Sequence, residues 1–345
     1  MSRRTRLVAS SVVLAFTVFA GVAVARAQKP YKVEQRWVIG GDGSWDYLLA
    51  DASTHRLYIA HLTKVDVVDT DSGKLVGAVS GLTHVHGIVL LPDGKTGFIS
   101  DGGANTVVVF DPATLAVKTK IAAGTNPDGM AYEASTNTLW AFNGASKNAT
   151  VIDAGTLAAV GTVALPGKPE FPQSDDAGTI YVNIEDKNAI VRLDVKAQKA
   201  TATWPLAGCE SPSGLAFDKD GGRLFSVCDG KKMAVTDAKT GKSLATPTIG
   251  DGPDAAGYDA GSKLAFASNE DGTLSVVDAG KAGYPVVQTL RTMSGARTMA
   301  LDSASGKIYT VSAKLGAKPA PSAANPHGRP TPVPGSFTVL VIGRE

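Results

Sequence analysis

The chain of 345 residues predicts an all-β fold, a seven-bladed β-propeller with four-stranded antiparallel blades, on three observations. The first is a series of aspartates that end Val/Ile-rich stretches: Asp69, Asp111, Asp153, Asp194, Asp237 and Asp278, spaced 42, 42, 41, 43 and 41 residues apart. Repeats of this length, each holding several short period-2 strands, are the signature of a propeller blade. The second is a matching series at the starts of the first strands: Asp46, His86, Asp128, Glu170, Ser213, Asp254 and Arg297, spaced 40, 42, 42, 43, 41 and 43 residues apart. Seven starters predict seven blades. The third is composition: 38 glycines, 6% aromatic residues and no long amphipathic helical pattern, which favours strands over helices.

Residues 1–27 read as a secretory signal peptide. Arg3, Arg4 and Arg6 form a basic head, an apolar run follows from Leu7, and Ala25-Arg26-Ala27 supplies small residues for cleavage. The mature chain is expected to start near Gln28 and to be periplasmic or secreted. Residues 28–345 then form one propeller domain with no membrane span. The formal charge of +2 misleads, because four of the 34 basic residues lie in the signal. The mature chain carries 34 − 4 = 30 basic against 32 acidic residues, a net charge of −2. Such a balance lacks the basic footprint of a nucleic-acid binder, and a monomer is expected.

Tyr31 to Ile39 reads as an orphan strand ahead of the first blade. The seventh unit, in turn, supplies strands only after Arg297, around Lys307–Ser312 and at Phe337–Ile342. Pairing the orphan strand with the last one closes the ring and removes two exposed edges. The six periodic aspartates are expected to be structural, each accepting from backbone amides two residues on. Cys209 and Cys228 are two cysteines in a chain bound for an oxidising compartment, and a disulfide between them would pin a loop of the fifth blade. A Pro-rich insertion over 314–335 joins two strands of the seventh blade and is expected to emerge beside the channel mouth as a lid, with His327 and Arg329 available to a ligand.

The second strands read LYIAH (57–61), GFISDG (97–102), LWAFNG (139–144), IYVNIEDKN (180–188), LFSVCDG (224–230) and LAFASNEDG (264–272), followed by third strands such as TVVVFD (106–111) and LSVVD (274–278). This pattern resembles the YVTN-repeat, or YncE-like, β-propeller family over nearly all of the mature chain. The resemblance implies a seven-bladed, usually exported bacterial propeller. It implies little about activity, because fold alone does not assign function.

A candidate site follows from the topology. First strands line the channel of a propeller, so the seven starters ring one mouth. Asp46, His86, Asp128, Glu170 and Asp254 place four carboxylates and an imidazole there, with Ser213 and with Arg297 as the only fixed cation. His61, Asp101, Asn143, Glu185 and Asn269, at or beside the ends of second strands, are expected on the same face one step outward. Turn chemistry alone does not call for His86, Ser213 or Arg297 where neighbouring blades carry acids; such departures from a repeat are what a ligand site produces. Converging carboxylates recruit cations, and Asp128, Glu170 and Asp254 are the expected metal ligands, for Ca²⁺, Mg²⁺ or, with histidine, Zn²⁺. The first functional reading is an exported propeller that binds a small molecule, a metal ion or a protein partner at this mouth. The second is a metal-dependent hydrolase similar to the lactonase propellers, with His86 as base and Arg297 holding an anionic substrate. Only four tryptophans are present, which argues against a quinone-dependent dehydrogenase propeller.

Overall fold

The computed structural model describes residues 29–317, 319–320 and 330–344 besides Met1. The expected signal peptide over 2–27, and His327 and Arg329, lie outside the described residues. No helix among the described residues is long and apolar enough to cross a membrane.

Seven four-stranded antiparallel sheets form the blades. Their innermost strands are Leu48–Asp51, Val85–Leu90, Pro127–Glu133, Pro169–Ser174, Leu215–Asp218, Pro253–Asp259 and Met299–Asp302. The seventh sheet runs Lys32–Val38, Thr338–Gly343, Lys307–Ser312, Met299–Asp302, so the strand ahead of the first blade completes the last. The closing register pairs Lys32 with Gly343 and Val38 with Thr338, with an irregularity between Val33 and Gln35. Tyr31, just before that strand, is buried edge-to-face on Phe266 at 5.3 Å, tying the closure to the sixth blade.

The core is divided into wedges between neighbouring blades. Trp140, Phe142 and Val151 of the third blade pack with Ile180, Val182 and Val191 of the fourth, and Tyr58 and Val67 of the first with Ile99 and Phe110 of the second. Period-2 strands make this possible, because each blade buries both faces against its neighbours. Burying one such side chain contributes about 1.5–3 kcal/mol. The periodic aspartates cap turns as expected: Asp69 accepts from Ser72 N at 2.8 Å, Asp153 from Thr156 N at 2.7 Å and Asp237 from Thr240 N at 2.8 Å.

Neighbouring inner strands approach closely enough to require glycine. A Cβ on Gly87 would lie 2.8 Å from the Asp128 carbonyl, and one on Gly129 2.7 Å from that of Glu170. The corresponding residues in the first and fourth blades are Tyr47 and Phe171. Their rings meet edge-to-face at 4.9 Å. These blades are not neighbours, so the contact spans the channel and forms an aromatic floor there.

Candidate functional site at the channel mouth

The seven starters do ring one mouth, and their charges fall into pairs. His86 Nδ1 lies 2.5 Å from Asp46 Oδ2 and 4.0 Å from Asp128 Oδ1. Arg297 Nε donates to Asp254 Oδ2 at 2.6 Å. Lys168 Nζ lies 2.7 Å from Glu170 Oε1 and also contacts Glu185. Ser213 turns its hydroxyl to the Pro253 carbonyl at 3.1 Å. The mouth is therefore better balanced than the starters alone suggest, and Arg297 is not its only fixed cation. Lys168 escaped notice because it lies two residues outside the aligned position.

Electrostatics follow from this geometry. Burial alone would depress His86, but the Asp46 hydrogen bond and the Asp128 charge outweigh it and raise the ring to about 9. At neutral pH His86 is cationic, a proton donor rather than the base expected from its position. Burial raises both Asp128, to about 7, and Glu170, to about 9; the Asp46 and Asp254 charges add to the first and the Asp128 charge to the second. Burial, then the charges of Asp128, Glu170, Asp46 and Asp254, push the Tyr47 phenol well above its ordinary range. His84 stacks edge-to-face on His86 at 4.7 Å and is kept neutral by burial and by that charge.

The expected metal ligands Asp128, Glu170 and Asp254 each fall in a different pairing. Glu170 and Asp254 are held by Lys168 and Arg297, whereas Asp46, His86 and Asp128 each offer a ligand atom within 4.8 Å of the others. Two are starters of adjacent blades and the third of the next, a convergence that depends on side-chain direction and is invisible in the spacing.

The outward residues separate into two groups. His61, Asp101, Asn143 and Asn269 are buried, which corrects the expectation that they meet a ligand. Asp101 accepts from His84 N at 2.9 Å and from Thr83 N at 3.1 Å. His61 Nδ1 bonds Asp66 at 2.7 Å, while Asn143 and Asn269 donate to Thr150 and Thr273 hydroxyls at 3.0 Å each. They fasten strand ends and rim loops. Glu185 remains at the surface and, with Asp229, Asp254, Glu270 and Arg297, lines a cavity of about 150 Å³.

A larger cavity of about 320 Å³ lies beside it over the first two blades. Asp46, His84, His86, Glu270 and Arg297 form its polar side. Trp45, Leu62 and Val85 form an apolar side, together with Leu315, Pro330 and Pro332 from the two ends of the Pro-rich insertion. Those ends are held by Gly316 N donating to Thr331 O at 2.9 Å and Val333 N to Lys314 O at 2.7 Å. In the fifth blade Cys209 and Cys228 form a disulfide with Cα atoms 5.3 Å apart.

No family model matches the chain, and no curated protein matches it. Similar solved structures include hydrazine synthase of Kuenenia stuttgartiensis (15% identity, 85% of this chain and 96% of that one, TM-score 0.69). U3-55K matches at 10% identity over 90% and 98% of the two chains, TM-score 0.74. The RRP9 WD40 repeats match at 10% over 92% and 99%, TM-score 0.75. At these identities the likeness shows the propeller fold and nothing finer.

Proposed function

We propose that this chain is an exported, single-domain binding protein of the YVTN-repeat type, whose small ligand seats in the 320 Å³ mouth cavity. The observation that carries the reading is the composition of that cavity: charged groups from blades one, two, six and seven converge in it together with apolar residues. A pocket of about 300 Å³ or more with few convergent polar groups is the usual form of a small-molecule site. Export is supported by the basic head, apolar run and Ala25-Arg26-Ala27 of the amino terminus. The test is a thermal-shift screen of the mature protein against metabolites and metal ions, repeated with Arg297→Lys. A ligand that raises the melting temperature of the parent but not of the variant supports the reading. No stabilisation by any compound class sinks it. N-terminal sequencing of the exported protein should begin near Gln28.

A second reading, a metal-dependent hydrolase, is favoured by one specific observation: the Asp46, His86 and Asp128 ligand atoms lie within 4.8 Å of one another. One nitrogen and two carboxylate donors suit Zn²⁺ or Mn²⁺ better than Ca²⁺. A bound cation would polarise a carbonyl, and Glu170, raised to about 9 by burial and by the Asp128 charge, could deliver its proton to a leaving group. Metal analysis of the purified protein and of Asp46→Asn/Asp128→Asn, with lactone and ester assays, decides it; an equal metal content in both removes this reading.

A further inference from the structure

The mouth cavity carries a more specific chemical signature, and the inference drawn from it rests on the binding reading above. Among the described residues its charged lining holds two anions, Asp46 and Glu270, and two cations, His86 and Arg297. Asp46 and His86 satisfy each other at 2.5 Å. Arg297 is different: its Nε donates to Asp254 at 2.6 Å, and its two terminal nitrogens have no hydrogen-bond acceptor among the described residues. Glu270 has no cation within ion-pair distance among the described residues, although its carboxylate lines both neighbouring cavities.

Two further groups in the same wall lack partners. The Trp45 indole nitrogen and the His86 Nε2 are buried and make no hydrogen bond. Buried donors without acceptors are rare in folded proteins and ask for an explanation. Trp45 and His86 thus bring buried donors, and Arg297 two further N–H-bearing nitrogens, to a pocket whose lining also holds the acceptor-only carboxylate of Glu270.

A ligand carrying a single charge fits this lining poorly. An anion would meet Arg297 but also Glu270, Asp46 and Asp254. A cation would meet Glu270 but also Arg297 and His86. A ligand with both charges gives Glu270 a cation and the Arg297 terminal nitrogens an acceptor, and leaves the net charge of the mouth unchanged. The rest of the wall, Trp45, Leu62, Val85, Leu315, Pro330 and Pro332, is apolar. At about 320 Å³ the space is at the small end of ligand pockets. We infer that the mouth cavity binds a zwitterionic amino acid with an apolar side chain. Its carboxylate lies on the Arg297 terminal nitrogens, its ammonium on Glu270, and its side chain between Trp45 and the base of the Pro-rich insertion.

Titration calorimetry on the mature protein tests this with phenylalanine, 3-phenylpropanoic acid and 2-phenylethylamine as probes. The expected result is that phenylalanine binds at least about tenfold more tightly than either one-ended analogue, since each lost ionic contact costs about 1.5 kcal/mol or more. Glu270→Gln should abolish the preference over phenylpropanoic acid, and Arg297→Lys, which keeps the charge facing Asp254, the preference over phenylethylamine. Thermal melts of both variants check that they fold. An analogue that binds as well as phenylalanine, or preferences that survive both substitutions, overturns the inference. Binding of some other class that Arg297→Lys abolishes, with none of phenylalanine, overturns it while leaving the mouth a binding site. No binding by any class in the wider screen removes both.

Discussion

Two rings of polar residues surround the same end of this propeller, one step apart. The inner ring, at the starts of the first strands, holds Asp46, His86, Asp128, Glu170, Asp254 and Arg297, which pair with one another across blades and border open space. The outer ring, at the ends of the second strands, holds His61, Asp101, Asn143, Asn183 and Asn269, all buried. Its hydrogen bonds go inward to the fold: Asn183 donates to the Ser213 and Gly214 carbonyls at 2.9 and 3.1 Å, and accepts from Ser226 at 2.8 Å. Residue type alone does not separate the two rings, since both contain Asp and His. What separates them is where their hydrogen bonds end. The outer ring satisfies backbone and strand groups that burial would otherwise strand. The inner ring strains its own acids and leaves donors open.

The widest gap between the rings should appear in stability. His61 and Asp66 are both fully buried, and Asp66 is otherwise held by Lys64 at 2.7 Å. His61→Leu leaves that carboxylate half-partnered in the interior and is expected to cost about 3–5 kcal/mol in urea unfolding. A loss below about 1 kcal/mol would mean that the outer ring is not the structural one.

Next in size is the pH dependence of the inner ring. His86 rises from 6.5 to about 9 on folding. A raised histidine contributes stability that is full below 6.5 and is lost as pH rises through about 9. At 1.36 kcal/mol per unit the contribution is about 3 kcal/mol. Unfolding measured between about pH 6 and pH 10 should show this loss in the parent and a much flatter profile in His86→Gln. Equal slopes would place the titration elsewhere.

The third test reverses the sign. Asp128 is raised by burial first, with Asp46 adding to it and His86 opposing. A carboxyl raised on folding is most favourable to the fold below its unfolded value, and costs stability as pH rises through its folded one. Asp128→Asn is therefore expected to stabilise the protein by about 1–2 kcal/mol near pH 8 and by little near pH 4. The same change in the outer ring, Asp101→Asn, should destabilise at both, since Asp101 accepts from two backbone amides. Two Asp→Asn substitutions with the same sign would erase the distinction between the rings.

Much of the scaffold was legible because a repeat constrains every blade alike. The turn aspartates, the seven starters, the closing strand and the Cys209–Cys228 bridge all follow from period and polarity. The site was legible only to the level of a ring. Spacing locates Cα atoms around the mouth, but pairing depends on side-chain reach, so Lys168 was overlooked and the Asp46–His86–Asp128 cluster was not singled out beside the expected Asp128, Glu170 and Asp254. Burial of His61 and Asn143 depends on the neighbouring strand and loop, which a pattern of one blade does not contain. Tyr47 did leave a signal. The residue after the starter is small in five blades, Gly87, Gly129, Gly214, Ala255 and Thr298, and aromatic in the two that plug the channel, Tyr47 and Phe171. Reading one position beyond the charged series would have found the floor.

The smallest expected effect on stability belongs to the Pro-rich insertion, whose described ends line the mouth cavity with Asp46, His86 and Arg297 of the inner ring. Its base is laddered by Gly316–Thr331 and Lys314–Val333 hydrogen bonds, and Leu315 packs on the core wedge between blades seven and one. Replacing 317–330 with a short turn keeps that base and removes Pro330 from the cavity wall. Unfolding free energy should change by less than about 0.5 kcal/mol, as for a surface change away from packed groups. Losing Pro330 from the wall should quicken ligand dissociation with association little altered, since lost contacts act mainly on the off-rate. If stability fell together with binding, the insertion would belong to the same structural network as His61 and Asp101. The mouth would then be an extension of the blade supports rather than a site resting on them.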